Sequence, residues 1–161
     1  MLLNKFFILF VFLYKYYHLF NYPTITPEYI FYLPLLFFIV FIVMRINIGN
    51  NTFKIKLAVS EKERAHGMMK KRFDDTFDGM LFLEKPGNHC FWMKNCIIPL
   101  DIIFIKNNVI TKIHHNCPPL EEPHGDDYQN YCGDGDLVLE LPGGTCNYLH
   151  ITEGTKLSIL F

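Results

Sequence analysis

Four side chains that lie close together in the sequence could form a site for a small molecule. Trp92, Lys94 and Asn95 belong to one short stretch, and Asp101 follows shortly after it, beyond Pro99. If this stretch is a strand, Trp92 and Lys94 point to the same face. An indole, an ammonium, an amide and a carboxylate brought together provide one flat apolar wall and a few polar groups, which is typical of a small-ligand pocket. We therefore predict a ligand-binding site at these four residues.

The same residue types also fit two other roles. In a structural role, Lys94 pairs with Asp101, or Asp101 accepts hydrogen bonds from backbone N–H groups in a turn while Trp92 fills the core. In an enzyme, Asp101 would be the acid or base and Lys94 would stabilise charge. The sequence contains no recognisable pair of nucleophile and base, so we prefer binding to catalysis.

A further acidic residue, Glu140, interrupts the apolar run at residues 137–141. On the solvent-facing side of a sheet it needs no partner. Because it shares a strand face with Val138, it could instead point inward and pair with Arg64 or Lys94. The sequence leaves both orientations open, and we add Glu140 and Arg64 to the predicted ligand-binding residues.

Histidines and cysteines in one loop-rich stretch raise the question of a metal site. Zinc requires four such ligands in a tetrahedron. The stretch has neither Cys-x-x-Cys nor His-x-x-x-His spacing, and His114 and His115 would point in opposite directions along a strand. We expect no metal or other cofactor. The residues that could still contribute to a metal site are His115, Cys117, His124 and Cys132.

The five cysteines do not fix the redox compartment. A bridge between Cys117 and Cys132 would hold down a long polar loop, predicted at residues 117–136, if the domain faced an oxidising compartment. In the cytosol both would be free thiols. Because five is an odd number, at least one thiol stays unpaired within a monomer.

The composition limits the class of protein. The chain has 161 residues, enough for one domain, and its net charge of −1 argues against a strongly basic nucleic-acid binder. Its hydrophobic residues, 50% of the total, are concentrated in residues 1–46, which hold most of the Phe and Tyr. Residues 53–161 have the composition of an ordinary soluble domain with its own core.

Residues 1–46 are predicted to be a membrane anchor. Residues 29–44 carry no charged side chain, and Tyr29 and Tyr32 would lie in the interfacial aromatic belt. We predict a transmembrane helix at residues 28–46, because nothing downstream offers a partner for so uniformly apolar a helix. A second helix is possible at residues 5–20. Its start resembles a signal peptide, but no small-residue cleavage site follows, so we expect no cleavage.

Two membrane arrangements remain open. In a helical hairpin, the connecting residues 21–27 hold no Lys or Arg, so the positive-inside rule places both ends in the cytosol. In the other arrangement, only residues 29–44 cross and the first segment lies in the interface. Either way we expect a membrane location with one or two passes, and the lipid bilayer as a partner. The side of the soluble domain stays open.

The elements that position the candidate site are mostly short strands. Residues 47–52 are predicted to be a polar linker. Ser60 and Glu63 have the spacing of a capping box, which would begin a short helix that ends near Gly67. Asn107-Asn108 predicts a tight hairpin turn. Strands are predicted at residues 53–59, 80–83, 89–93, 100–106, 109–113, 137–141 and 156–161, with turns at 86–88 and 142–144 and a helical turn at 147–151.

Several blocks of the sequence form a familiar pattern. They are, in order, ER at 63–64 with GMM at 67–69, GMLF at 79–82, FWMKN at 91–95, IPLDIIF at 98–104, and VLELP at 138–142 with GT at 144–145. Together they resemble the family called domain of unknown function 192, or DUF192. The resemblance implies a compact β-rich fold and no established activity. The family often has cysteine in the 117–136 loop, which supports the Cys117–Cys132 bridge, whereas Cys96 stands where the family usually has Thr.

We therefore predict an α+β, mainly β fold. Residues 53–161 form a compact, barrel-like domain of short strands with one or two short helices, preceded by a transmembrane helix or helical hairpin. The predicted function is a membrane-anchored binding or accessory module whose partner is a small molecule or a protein, and not nucleic acid. The alternatives are a small enzyme that uses Asp101 and Lys94, and a purely structural membrane protein.

Overall fold

One sheet accounts for most of the chain that the structure describes. The computed structural model describes residues 44–58, 60–120 and 129–160. The elements are β1 (Met44–Ile48), β2 (Asn51–Ala58), α1 (Glu61–His66), β3 (Gly79–Trp92), β4 (Leu100–Lys106), β5 (Val109–Cys117), β6 (Asn130–Pro142), α2 (Thr145–Tyr148) and β7 (Leu157–Leu160). Within these residues, no helix is long and apolar enough to cross a membrane. The predicted helix at 5–20 and most of the one at 28–46 lie outside the described residues.

The strands follow the order β5-β4-β6-β3-β2-β1-β7 across the sheet. The pair β2 and β3 is parallel, and the other neighbouring pairs are antiparallel. The two edge strands approach each other where Val109 forms a bridge with Lys156 and the Leu157 N–H donates to the Asn108 carbonyl at 2.8 Å. The sheet thus curls into a half-barrel, which confirms the predicted mainly-β fold with short helices.

Two local signals in the sequence are confirmed. The Ser60 hydroxyl accepts from the Glu63 N–H at 3.2 Å, and the Glu63 carboxylate accepts from the Ser60 N–H at 2.8 Å, so the capping box is complete. The helix ends at Gly67, where φ is 44°. In the hairpin between β4 and β5, Asn107 and Asn108 have φ of 52° and 61°, a left-handed conformation that Asn tolerates.

The strand β4 is buried along almost its whole length. Only Lys106, its last residue, is exposed. Leu100, Ile102 and Phe104 belong to a hydrophobic core cluster, and the alternating residues between them point to the opposite face. A strand covered on both faces reads as a continuous apolar run. Its one charged residue inside that run, Asp101, must therefore find hydrogen-bond partners within the protein.

The predicted linker at residues 47–52 is wrong. Met44–Ile48 forms β1, which pairs with both β2 and β7, and Gly49 turns the chain into β2 with φ of 59°. Ile46 and Ile48 are fully buried. These residues alternate apolar and polar side chains, a strand pattern. The uncharged run that ends at Met44 obscured it, and the last three residues of the helix predicted at 28–46 belong to this strand as well.

The turn predicted at residues 86–88 is also wrong. Gly79–Trp92 is one strand, so the separate strands predicted at 80–83 and 89–93 are its two halves. The ladder between β3 and β6 shifts register between Leu83 and Gly87. An irregularity of this kind accommodates Pro86, which has no N–H to donate to the ladder. The Pro-Gly pair therefore marks a bulge in a long strand.

The loop predicted at residues 117–136 is shorter than expected. β5 runs to Cys117, β6 begins at Asn130, and residues 121–128 lie outside the described residues. The Gly-rich start of β6 looks like a loop, yet it pairs with the second half of β3. Glycine is needed there because a Cβ atom on Gly133 would come within 2.5 Å of the Phe104 ring. The helical turn predicted at 147–151 lies earlier, at α2.

Candidate functional site

A groove of about 280 Å³ opens beside α1 and the outer half of β3. We call it the Glu140 groove. It is lined by the end of α1 and the residues after it, by Phe82, Glu84 and residues 89–92 of β3, by Cys96, and by Glu140 of β6. Three of the six predicted ligand-binding residues line this groove: Arg64, Trp92 and Glu140. Lys94, Asn95 and Asp101 are not among its lining residues.

Glu140 points inward and is only 4% exposed. Its Oε2 atom is buried and has no hydrogen-bond partner among the described residues. A Cβ atom built on Gly67 would lie 3.7 Å from this oxygen and 3.3 Å from the Phe82 ring. The carboxyl group therefore lies next to Gly67 at the end of α1, and the Phe82 ring lies against the same glycine. This settles the orientation that the sequence left open.

Burial controls the charge of Glu140. Removal from water raises the pKa of Glu140 to about 8, although the ammonium of Lys71 acts in the opposite direction. Lys71 is held close by, because its Nζ donates to the Gly67 carbonyl at 2.7 Å. At neutral pH the carboxyl group is therefore mostly protonated. A protonated carboxyl donates one hydrogen bond and accepts others.

Trp92 forms part of the outer wall of the groove. Its side chain is 43% exposed, so it does not fill the core. The Lys94 ammonium lies 5.3 Å from the centre of its ring, a cation–π arrangement, which confirms that the two side chains share a face. The backbone of Asn95, with φ of 56°, accepts from the Lys70 N–H at 2.8 Å and donates to the Leu120 carbonyl at 2.6 Å. Asn95 thus has a clear role as a turn residue.

Asp101 lies apart from the groove and is fully buried. Its carboxylate accepts three backbone hydrogen bonds, from Asn116 at 2.7 Å, Gly144 at 2.9 Å and Cys146 at 2.7 Å. These contacts join β4 to the end of β5 and to the first turn of α2. The geometry matches the structural role considered for Asp101, in which the carboxylate satisfies a turn.

The disulfide connects Cys90 with Cys132, not Cys117 with Cys132. The two cysteines face each other directly across β3 and β6. Cys117 is instead a buried free thiol, and burial, reinforced by the charge of Asp101, raises the pKa of Cys117 to about 11. The sequence prediction failed because it did not extend β6 back to Asn130, which is what brings Cys132 opposite Cys90.

The four candidate metal ligands are not assembled in the described part of the chain. No group of three or more His, Cys, Asp or Glu side chains there could hold a metal ion. Cys132 forms the disulfide with Cys90, so its sulfur is not a free thiolate for a metal, and Cys117 is buried. His115 lies on β5, and His124 lies outside the described residues.

Sequence reasoning missed three residues of the groove region. Gly67 lies next to the Glu140 carboxyl, Phe82 lies next to Gly67, and Lys71 lies close enough to act on the charge of Glu140. Gly67 marks the end of α1 in the sequence, and an isolated acid in an apolar strand is a signal for a buried carboxyl. No local sequence pattern indicates that the end of α1 packs over β6.

The comparisons with known proteins agree on the fold. The model of the DUF192 family, described as "Uncharacterized ACR", matches residues 43–159. A crystal structure of a protein of unknown function from Novosphingobium aromaticivorans is 32% identical, with a TM-score of 0.61, and the match covers 71% of this chain and 83% of that one. A protein from Sinorhizobium meliloti, provisionally named a transcription regulator, is 29% identical, with a TM-score of 0.59 and coverage of 72% and 91%. No curated protein matches this sequence.

Proposed function

Because this chain belongs to the DUF192 family, whose description names no activity, we propose a function from the groove itself. The domain is a binding module that takes a small molecule into the Glu140 groove. The proposal keeps Trp92, Arg64 and Glu140 from the predicted site, because all three line one cavity. It leaves Asp101 in a structural role.

The observation that carries this proposal is the buried oxygen of Glu140. Oε2 has no partner among the described residues, although buried polar atoms almost always have one. This oxygen belongs to a side chain that lines an open groove with aromatic walls. A small number of polar groups in a mostly apolar concavity is the usual composition of a ligand site. A bound molecule would supply the missing hydrogen bond.

The enzyme that was considered from the sequence receives no support from this geometry. An acid or base must exchange protons with a substrate. Both oxygens of Asp101 accept backbone hydrogen bonds, and the residue is 0% exposed. Lys94 lies over the ring of Trp92. Binding is therefore the function that the site supports best.

Trp92 makes the proposal directly measurable, because it is the only tryptophan of the chain. We would titrate the purified full chain with a panel of small alcohols, amides, amines and carboxylates and follow the emission of Trp92. Native mass spectrometry of each responding mixture would confirm that the molecule is bound. Binding to the groove predicts that at least one member changes the emission in a saturable way.

A pair of helix variants tests the location. Ala65 lines the groove and is exposed, so Ala65→Leu would obstruct it. Lys62 is exposed on the same helix but does not line the groove, so Lys62→Leu is the matched control. We expect the first variant to lose the response and the second to keep it. The absence of a response in the unmodified chain, or equal responses in both variants, would contradict the proposal.

We also propose that residues 1–43 anchor the domain in a membrane, by one or two passes. The uncharged run that begins at Tyr29 supports this. Two substitutions in this run, Leu36→Arg and Ile39→Arg, would each make insertion into the membrane less favourable by about 3 kcal/mol. We expect the unmodified chain to stay in the membrane pellet after alkaline extraction and the double variant to be released. Release of both would contradict membrane anchoring.

A further inference from the structure

The charges around the Glu140 groove are unevenly distributed. The side chains that line it include Arg64 and His66 from α1, and His89 from β3. Lys71 lies close enough to influence the Glu140 carboxyl. Glu84 is the one other acidic residue among the lining residues. Two basic side chains, Arg64 and Lys71, therefore lie at or near the groove, against one acidic residue besides the buried Glu140, and this balance favours anions.

The position that a cationic ligand would prefer already has an occupant. The face of Trp92 is the natural site for a cation in this groove, and the Lys94 ammonium lies 5.3 Å from its ring centre. A second cation there would be repelled by the first. The apolar wall that remains includes two aromatic rings, from Phe82 and Phe91, and the thioether of Met69.

The size of the groove limits the ligand further. Its volume of about 280 Å³ lies just below the range for sites that enclose drug-sized molecules, roughly 300–1,000 Å³. A ligand with one anionic group and a compact apolar body would use both the charged groups and the apolar wall.

From these observations we propose that the groove selects small carboxylates with a compact apolar body. The ligand carboxylate accepts a hydrogen bond from the Glu140 carboxyl, and its body packs against the aromatic wall. This inference rests on the proposed function and gives it a chemical class. Protonation of Glu140 makes the pairing possible, because two ionised carboxylates at hydrogen-bonding distance would repel each other.

Three probes of similar size and different charge test the class. They are cyclohexanecarboxylate, cyclohexanecarboxamide and cyclohexylmethylammonium, none of which absorbs where Trp92 emits or is excited. We would titrate the full chain with each at pH 7 and follow Trp92 emission. We expect the carboxylate to bind at least tenfold more tightly than the ammonium and more tightly than the amide. Tighter binding of either competitor would overturn the carboxylate class.

The pH dependence tests the role of Glu140. Since the pKa of Glu140 is about 8, only a few per cent of the groups would stay protonated at pH 9.5, and the affinity for cyclohexanecarboxylate should fall about thirtyfold between pH 7 and 9.5. Other groups face the site: Arg64, His66, Lys71, Glu84, His89 and Cys96. Glu140→Gln isolates the contribution of Glu140, because its amide still donates a hydrogen bond and cannot ionise.

Two variants of Glu140 separate its role in carboxylate binding from the binding function of the groove. Glu140→Gln should bind cyclohexanecarboxylate within a few-fold of the unmodified chain at pH 7 and lose the steep decline at high pH. Glu140→Leu, which has no donor, should lose at least tenfold at pH 7. An equal decline in the Gln variant would overturn the role of Glu140. If fragments bind in the Ala65-dependent manner described above but the carboxylate does not, the carboxylate class fails and the binding function stands.

Discussion

Gly67 lies against the carboxyl group of Glu140, so closely that a Cβ atom on Gly67 would be 3.7 Å from Oε2. The end of a short capped helix thereby contacts the C-terminal part of β6, an interior strand of the sheet. Lys71 reinforces the junction by donating to the Gly67 carbonyl at 2.7 Å. The groove depends on this junction, because one of its walls is the helix end and the buried carboxyl is part of its lining.

The stability of the domain should fall as the pH rises from about 5 to about 8. Folding raises the pKa of Glu140 from 4.5 to about 8. In this range the folded chain keeps a proton that the unfolded chain releases, so rising pH favours unfolding. One pKa unit corresponds to about 1.4 kcal/mol, so the total effect is a few kcal/mol. Urea unfolding of the full chain at pH 5, 6.5 and 8 would measure it. Glu140→Gln should remove this slope, and an unchanged slope in the variant would contradict the assignment.

Asp101→Asn should destabilise the domain by about 3 kcal/mol. Asp101 accepts three backbone N–H bonds, and an amide would turn an N–H donor toward one of them. The matched control is Asp134→Asn, an exposed carboxylate that pairs with Lys106 at 2.6 Å and should cost less than about 1 kcal/mol. Chemical denaturation would measure both. A stable Asp101→Asn chain that had lost cyclohexanecarboxylate binding would instead place Asp101 in the site.

Reduction of the Cys90–Cys132 bridge should lower the free energy of unfolding. The bridge spans 42 residues, and a loop of that length corresponds to about 4 kcal/mol of lost chain entropy in the unfolded state. We would compare urea midpoints with and without dithiothreitol. The control is the double variant Cys90→Ala, Cys132→Ala, whose midpoint the reductant should not change. Peptide mapping that found Cys117 in a bridge would contradict this connectivity.

Ser60→Ala should weaken both the helix and the groove. The Ser60 hydroxyl accepts from the Glu63 N–H, and loss of such a cap costs about 1 kcal/mol. Because the end of α1 forms one wall of the groove, cyclohexanecarboxylate binding should also decrease a few-fold. Lys62→Ala, on an exposed position of the same helix, should change neither quantity. Unchanged binding in a destabilised Ser60→Ala chain would show that the helix end contributes little to the ligand site.

Features set by neighbouring residues could be predicted from the sequence. The capping box at Ser60 and the hairpin at Asn107 are each encoded within a few positions, and both were found where expected. The buried strand β4 likewise follows from an apolar run. In each case the physical cause is local: a side chain that bonds a nearby N–H, or a residue that tolerates positive φ.

Features set by pairing between distant segments could not be predicted. Cys90 meets Cys132 because β3 continues past Pro86 and β6 begins before its apolar part, and neither fact shows in the local pattern. The inward orientation of Glu140 likewise depends on which face of β6 the helix end covers. The resemblance to DUF192 supplies the fold but assigns no role to these residues. Strand register and the packing of α1, rather than residue type, determine which side chains form the groove.

The meeting of the two edge strands has a consequence for solubility. An open sheet edge can recruit strands from other molecules and begin aggregation. Here the outer side of β5 is covered near its start, because Ile110 exchanges hydrogen bonds with Gly154 and Thr155. Farther along, the Ile113 N–H donates to the Glu153 carboxylate at 3.2 Å. Residues 153–155, which precede β7, thus cover part of the edge of β5. A strand from another molecule could otherwise pair with that edge.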